Sequence, residues 1–229
     1  MQLHKFSDSS ALNAAFAAQI VAQLQLAIRE RGEAVFVVSG GRTPLPLFQR
    51  LANTELDWSK VTITLADDRY LPDDAADSNE RLVKSALLQN RAAAARFVSL
   101  YAAAESAEAA VPELLQRVQN LPRFDVVILG MGEDGHTASL FPCSKELSAG
   151  LSDDAADLLA TNPTTAPYQR ISFSKKRLAA GRAIYLHLVG DKKLQVLEQA
   201  AAGTDVAAMP IRAFIQLTSP ELSVMYADQ

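Results

Sequence analysis

The sequence contains a single cysteine, Cys143, among 229 residues. That excludes an internal disulfide framework and any zinc site built on several cysteines. No uninterrupted run approaches the roughly 18 apolar residues of a membrane span. The opening residues Met1-Gln-Leu-His-Lys-Phe-Ser-Asp8 lack the apolar core of a secretory leader. No membrane partner is therefore expected, and a reducing cytoplasm is the expected location. Basic residues are not in excess. The 22 Lys and Arg stand against 26 Asp and Glu, a net charge of -4, whereas nucleic-acid binding needs a strongly positive surface. With only three histidines and no cluster of ligand types, no metal or other cofactor is expected. No Gly-x-Ser-x-Gly elbow is present, so a serine nucleophile has no support. Cys143 follows a proline without an activating context and reads as inert.

Apolar residues, in contrast, make up 49% of the chain and charged ones 21%, the proportions of a folded globular protein. A chain of this length buries roughly 70% of its unfolded surface. Leu12, Phe16, Ile20, Leu24 and Ile28 recur every fourth residue, which predicts a helix over Ala11–Arg31. Ser9 or Ser10 suits its N-cap and Gly32 its C-terminal end. Ala34–Val38 is a short apolar run rich in valine, the pattern of a strand buried on both faces. Val61–Ala66, Phe124–Leu129, Ala183–Val189 and Leu222–Tyr226 read the same way. Helical patterns lie between them at Pro44–Leu51, Asn79–Leu88, Ala107–Val118, Lys192–Ala202 and Ile211–Leu217. This alternation predicts an α/β fold: one three-layer α/β/α domain over residues 1–229 with a mostly parallel, Rossmann-like central sheet. Pro142–Pro167 is irregular and expected to form loops, and Ile171–Phe173 reads as an edge strand.

Ligands of open α/β sheets bind beyond the C-terminal strand ends, so the segments that follow strands are the candidates for chemistry. After the first comes Ser39-Gly40-Gly41-Arg42-Thr43-Pro44. Its glycines allow a tight turn and close approach of a ligand. Thr43 suits an N-cap and Pro44 the first helical position, which makes the loop an anion site or an ordinary strand-to-helix turn. After the second comes Asp67-Asp68-Arg69, then Asp73, Asp74 and Asp77. These offer carboxylates for acid–base work or sugar hydroxyls and a fork-shaped phosphate donor, or else a solvated loop. After the central strand comes Gly130-Met-Gly-Glu-Asp-Gly-His136. Its Gly-x-Gly-x-x-Gly spacing matches the dinucleotide fingerprint, but it lies mid-chain and Pro142 closes the segment within two turns. The glycines are better read as exposing Asp134 and His136 at the rim of the sheet. His187, inside a strand, reads as a packed or surface residue, and His4 as part of a mobile terminus. Arg170 and Lys193 either add positive charge over the glycine loop or are solvated cations.

Taken together, these segments resemble the 6-phosphogluconolactonase family. The blocks Ser39–Pro44, Asp67–Arg69 with Ser78-Asn79, and Gly130-Met-Gly-Glu-Asp-Gly-His-Thr-Ala-Ser-Leu-Phe-Pro142 occur in the family order, followed by Arg170 and the Gly190…Lys193 turn. The resemblance implies hydrolysis of 6-phospho-D-glucono-1,5-lactone, a small-molecule substrate, in the oxidative pentose phosphate pathway without a metal. It implies His136 as general base, Asp134 as the residue that orients it, and Asp67 as a contact to sugar hydroxyls. Ser39, Gly40, Gly41, Thr43, Arg69, Arg170 and Lys193 are implied as phosphate ligands. Three departures stand out. The family usually has Asp-Glu-Arg where this chain has Asp67-Asp68-Arg69, glycine is common at Cys143, and a lysine often precedes the prolines where this chain has Thr164-Thr165-Ala166-Pro167. Two alternatives remain open. An amino-sugar-phosphate isomerase/deaminase shares the glycine loop and Asp-Gly-His, but resembles Asp-Glu-Tyr at the second loop and lacks the Thr137–Pro142 continuation. A non-catalytic sugar-phosphate sensor needs the phosphate loop without a poised His136.

Overall fold

A computed structural model describes residues 1–229. The chain opens with β1 (Gln2–Phe6), α1 (Ser9–Arg31) and β2 (Ala34–Val38). Along α1, Leu12, Phe16, Ile20 and Leu24 are fully buried, as their four-residue spacing predicts. The cap is Asp8 rather than Ser9 or Ser10: its Oδ1 accepts the Ala11 N–H at 2.8 Å. By length and mean hydropathy α1 could cross a membrane, although Asn13, Gln19, Gln23 and Gln25 interrupt its apolar residues. Its apolar face is instead packed against β2, β1 and the C-terminal strand described below.

The rest follows as α2 (Leu45–Ala52), β3 (Val61–Leu65), β4 (Asp67–Arg69), α3 (Asn79–Ala86), β5 (Arg96–Val98) and α4 (Ala107–Val118). Then come β6 (Val126–Leu129), α5 (Leu147–Leu151), β7 (Leu158–Thr161), β8 (Arg170–Phe173) and α6 (Lys175–Ala179). The chain ends with β9 (Ala183–Val189), α7 (Asp191–Ala201), α8 (Arg212–Ile215) and β10 (Leu222–Ala227). Seven strands form one sheet in the order β1-β10-β9-β6-β2-β3-β5. Every pairing in it is parallel, and helices flank it, so the α/β/α class holds. The continuous apolar runs are the central strands, with every residue of β2 and β6 buried. From β2 the chain first extends the sheet through β3 and β5, then returns to the other side of β2 at β6. That reversal makes a crevice between the loops leaving β2 and β6, where open α/β sheets bind ligands.

Several expectations need correction. The N-terminus is an edge strand with His4 in register opposite Met225, not a mobile tail; its mostly exposed residues leave no apolar run to read. Asp67–Arg69 is a strand rather than a loop. It pairs antiparallel with β8, which pairs antiparallel with β7, a strand inside the stretch expected to be irregular. β8 is thus the centre of a three-stranded sheet, buried at every position, and not an edge. Strands this short show no periodicity of their own, because their partners lie far away in sequence. Thr43 does not cap α2. Pro44 occupies the cap position without a side-chain bond, which leaves Thr43 one residue too early.

Candidate active site

The β2–α2 loop is pressed against the start of α3. A Cβ on Gly40 would stand 1.9 Å from Asn79 Oδ1, so only glycine permits this approach. Ser39 Oγ donates to the Ile128 carbonyl at 2.8 Å and ties the loop to β6. Asn79 is fixed in turn by Asp67, whose carbonyl accepts from Nδ2 at 3.1 Å. Asp68 turns the other way and caps α3. Its carboxylate accepts the N–H groups of Asn79 at 2.7 Å and Glu80 at 2.9 Å, and that of Arg69 at 2.7 Å. Burial pushes this carboxyl up to about 6, against the pull of those N–H groups.

Alternation along β4 puts Asp67 and Arg69 on the face opposite Asp68, and both line the crevice. Asp67 Oδ2 accepts from Ser139 Oγ at 2.5 Å. Arg69 and Arg170 are direct cross-strand partners in the β4–β8 register. Like charges set opposite one another in neighbouring strands repel, and neither guanidinium has an ion-pair partner in the protein. Arg69 Nη1 donates to the Asp77 carbonyl at 2.6 Å and Arg170 Nη2 to the Pro167 carbonyl at 3.0 Å. Arg170 is only 6% exposed and its Nε has no partner. Burial pulls the Arg170 guanidinium below its ordinary value, with Asp67 opposing and Arg69 reinforcing the shift.

The loop after β6 carries the acid–base pair. His136 Nδ1 lies 2.6 Å from Asp134 Oδ1, which also accepts the His136 backbone N–H at 3.1 Å. Burial raises the Asp134 carboxyl, but its hydrogen bonds to the His136 ring and backbone N–H and its electrostatic attraction to that ring outweigh burial and hold it below the ordinary range. The ring is stacked on Phe141 with centroids 3.9 Å apart, and the Arg170 guanidinium lies 5.6 Å over the same phenyl ring. A Cβ on Gly132 would stand 2.1 Å from His136 Nδ1, so glycine lets the imidazole fold back over its own loop. With Nδ1 engaged by a carboxylate, Nε2 is the nitrogen left for chemistry.

All the site residues expected from the sequence except Asp134 line one cleft of about 300 Å³, and Asp134 stands behind His136. Lys193 joins from α7, its Nζ donating to the Met131 carbonyl at 2.7 Å. Two polar side chains of the lining, Asn79 and His187, lay outside the expected set. Asn79 could have been found, since it stands inside the Ser78-Asn79 match. His187 is packed, as expected, but it also reaches the cleft. No three His, Cys, Asp or Glu side chains converge as metal ligands would. Cys143 does not line the cleft; its Sγ lies 3.2 Å from Thr165 Oγ1.

Known proteins share both the chain and its architecture. The family model for glucosamine-6-phosphate isomerases/6-phosphogluconolactonase matches residues 7–223. A 6-phosphogluconolactonase of Pseudomonas putida is 45% identical over 218 residues, covering 94% of this chain and 89% of that protein. One from Rhizobium meliloti (strain 1021) is 43% identical and covers 98% of both chains. The crystal structure of a 6-phosphogluconolactonase from Shewanella baltica OS155 superposes with a TM-score of 0.97 at 50% identity, covering 99% of this chain and 97% of that one.

Proposed function

The chain belongs to the glucosamine-6-phosphate isomerase/6-phosphogluconolactonase family, and from that premise we propose that it hydrolyses 6-phospho-D-glucono-1,5-lactone to 6-phospho-D-gluconate, with His136 activating the water. The family description covers two activities. The relatives are named for the lactonase, and they support lactone hydrolysis over amino-sugar deamination.

One observation carries the reading: Arg69 and Arg170 face each other across two strands in the cleft that holds the His136–Asp134 pair. Two unpaired guanidinium groups side by side are stabilised by an anion that both can bind, and a phosphate accepts from both forks. In this reading the Gly40 and Gly41 amides, Ser39 and Thr43 form the near wall of the phosphate site and Lys193 adds charge. Anchoring the phosphate holds the far end of the substrate, so binding energy is used to orient the lactone carbonyl. Asp134 accepts a hydrogen bond from Nδ1–H and so keeps the Nε2 lone pair free. Nε2 removes a proton from water as the water oxygen bonds to the carbonyl carbon. The C–O bond to the ring oxygen then breaks, and the imidazolium returns the proton to the departing alkoxide. Asp67, held by Ser139, contacts the sugar hydroxyls.

The test is a coupled assay for 6-phosphogluconate with freshly made lactone, corrected for spontaneous hydrolysis, beside a glucosamine 6-phosphate deamination control. The reading expects lactone turnover above background and no deamination. Deamination without lactone turnover would assign the isomerase activity, and tight phosphosugar binding without either reaction would assign a sensor.

A further inference from the structure

His187 is the ionisable side chain of the cleft that this mechanism leaves without a role. It stands on β9 and is 4% exposed, yet neither Nδ1 nor Nε2 has a hydrogen-bond partner in the protein. Phe16 meets the ring edge-on, with centroids 5.4 Å apart and planes at 78°, so packing holds its orientation. The sheet register locates it. β6 and β9 pair up to Leu129 and Leu186, so one step further along sets His187 beside Gly130. A Cβ added at Gly130 would meet no atom within 4 Å, so space is open at the neighbouring strand position, while both ring nitrogens are themselves buried. Ser39, Gly40 and Lys193 line the same cleft. Burial lowers the imidazole to about 4, so near neutral pH it carries one N–H donor and one lone-pair acceptor.

A packing role does not account for these features. Burying polar ring nitrogens without partners carries a desolvation cost that a leucine, as at Leu186 and Leu188 on either side, would avoid. We propose that His187 is a ligand-contacting residue whose neutral imidazole hydrogen-bonds an oxygen of the bound sugar phosphate at the inner end of the cleft. The inference rests on the sugar-phosphate reading of this site. A neutral ring is suited to the task because it donates to a phosphate or hydroxyl oxygen through N–H and accepts a hydroxyl proton at its other nitrogen, without adding a further fixed charge beside Lys193.

The test is NMR of the ring nitrogens in the full chain labelled with ¹⁵N-histidine, titrated with 6-phosphogluconate. Only three histidines are present, and a His4→Gln variant assigns the exposed one. The proposal expects the His187 ring resonances to move to saturation along the binding curve seen by calorimetry. Inorganic phosphate alone reproduces the shift if the contact is to phosphate, and gluconate alone if it is to the polyol. Saturable binding that leaves the His187 nitrogens unmoved overturns the proposal. If 6-phosphogluconate does not bind at all, the sugar-phosphate reading falls and this proposal with it. A His187→Leu variant gives a second, independent check. Losing one neutral hydrogen bond should weaken product affinity about three- to tenfold while the melting temperature holds or rises. Unchanged affinity with a lowered melting temperature would make His187 a packing residue only.

Discussion

Replacing Gly132 with alanine tests the His136–Asp134 pair without altering either residue. The new Cβ would stand 2.1 Å from His136 Nδ1, 2.2 Å from Cε1 and 2.6 Å from Asp134 Oδ1. Ordinary contact begins near 3.4 Å, so the imidazole has to withdraw by on the order of 1 Å, and its 2.6 Å bond to Asp134 breaks. Displacing a reacting group by about 1 Å costs about 10²-fold in rate, which is about 2.7 kcal/mol of barrier. The backbone tolerates alanine, because Gly132 is not among the left-handed residues, so stability should change by less than about 1 kcal/mol. Lactone turnover corrected for background, product binding by calorimetry and a denaturant curve separate these effects. The expected outcome is a fall of about 10²-fold in kcat, with product affinity and stability nearly unchanged. In a His136→Asn background the same substitution should cost nothing further, because both changes disable one unit. Wild-type turnover in folded Gly132→Ala would refute the argument that the paired geometry of His136 sets the rate.

Two further outcomes follow. Arg69→Ala removes one of the facing guanidinium groups, and charge-assisted bonds contribute about 1.5–3 kcal/mol, so calorimetry should show product affinity falling about ten- to a hundredfold; unchanged affinity would take Arg69 out of the phosphate site. The third prediction concerns acid stability. The folded-state value of His187 is depressed from 6.5 to about 4, so its contribution is present above about 6.5 and lost as pH falls through about 4, on the order of 3 kcal/mol in all. Asp68 works with the opposite sign in an overlapping window, being raised from 3.8 to about 6, so its contribution is present below 3.8 and lost as pH rises through about 6. The difference between His187→Leu and wild type cancels Asp68 and isolates the histidine. Denaturant curves should show the variant gaining on wild type as pH drops from 7 to 4, and a difference flat with pH would contradict the buried neutral imidazole.

Sequence patterns carried the central sheet because its strands are buried on both faces. The runs at Ala34–Val38 and Ala183–Val189 match β2 and β9 residue for residue, and Ala107–Val118 matches α4. The small antiparallel sheet stayed hidden for a physical reason. Asp67-Asp68-Arg69 is polar throughout and becomes a strand only because β8 supplies its backbone partners from about a hundred residues later. The same pairing sets Arg69 against Arg170, a juxtaposition that no local pattern encodes. Glycine spacing did mark the loops that reach the cleft, since close approaches such as Gly40 to Asn79 and Gly132 to His136 leave no room for a Cβ. His187 was legible only as a strand residue, because its lack of partners is a property of the packed fold.

His136→Asn is the most direct test of the central claim, which is that this imidazole activates water while other groups hold the phosphate. The measurement is the rate of hydrolysis of freshly made 6-phosphogluconolactone by the folded variant, after subtraction of the uncatalysed rate, with 6-phosphogluconate affinity determined on the same sample. Asparagine retains polarity and roughly the size of the ring but cannot take a proton near neutral pH. The account predicts a loss of about 10²–10⁴-fold in turnover, the usual contribution of a general base, with product affinity preserved by the Gly40–Gly41 loop, Arg69 and Arg170. Turnover near wild type in the folded variant would contradict it and move the search for the base to Asp134 or Asp67.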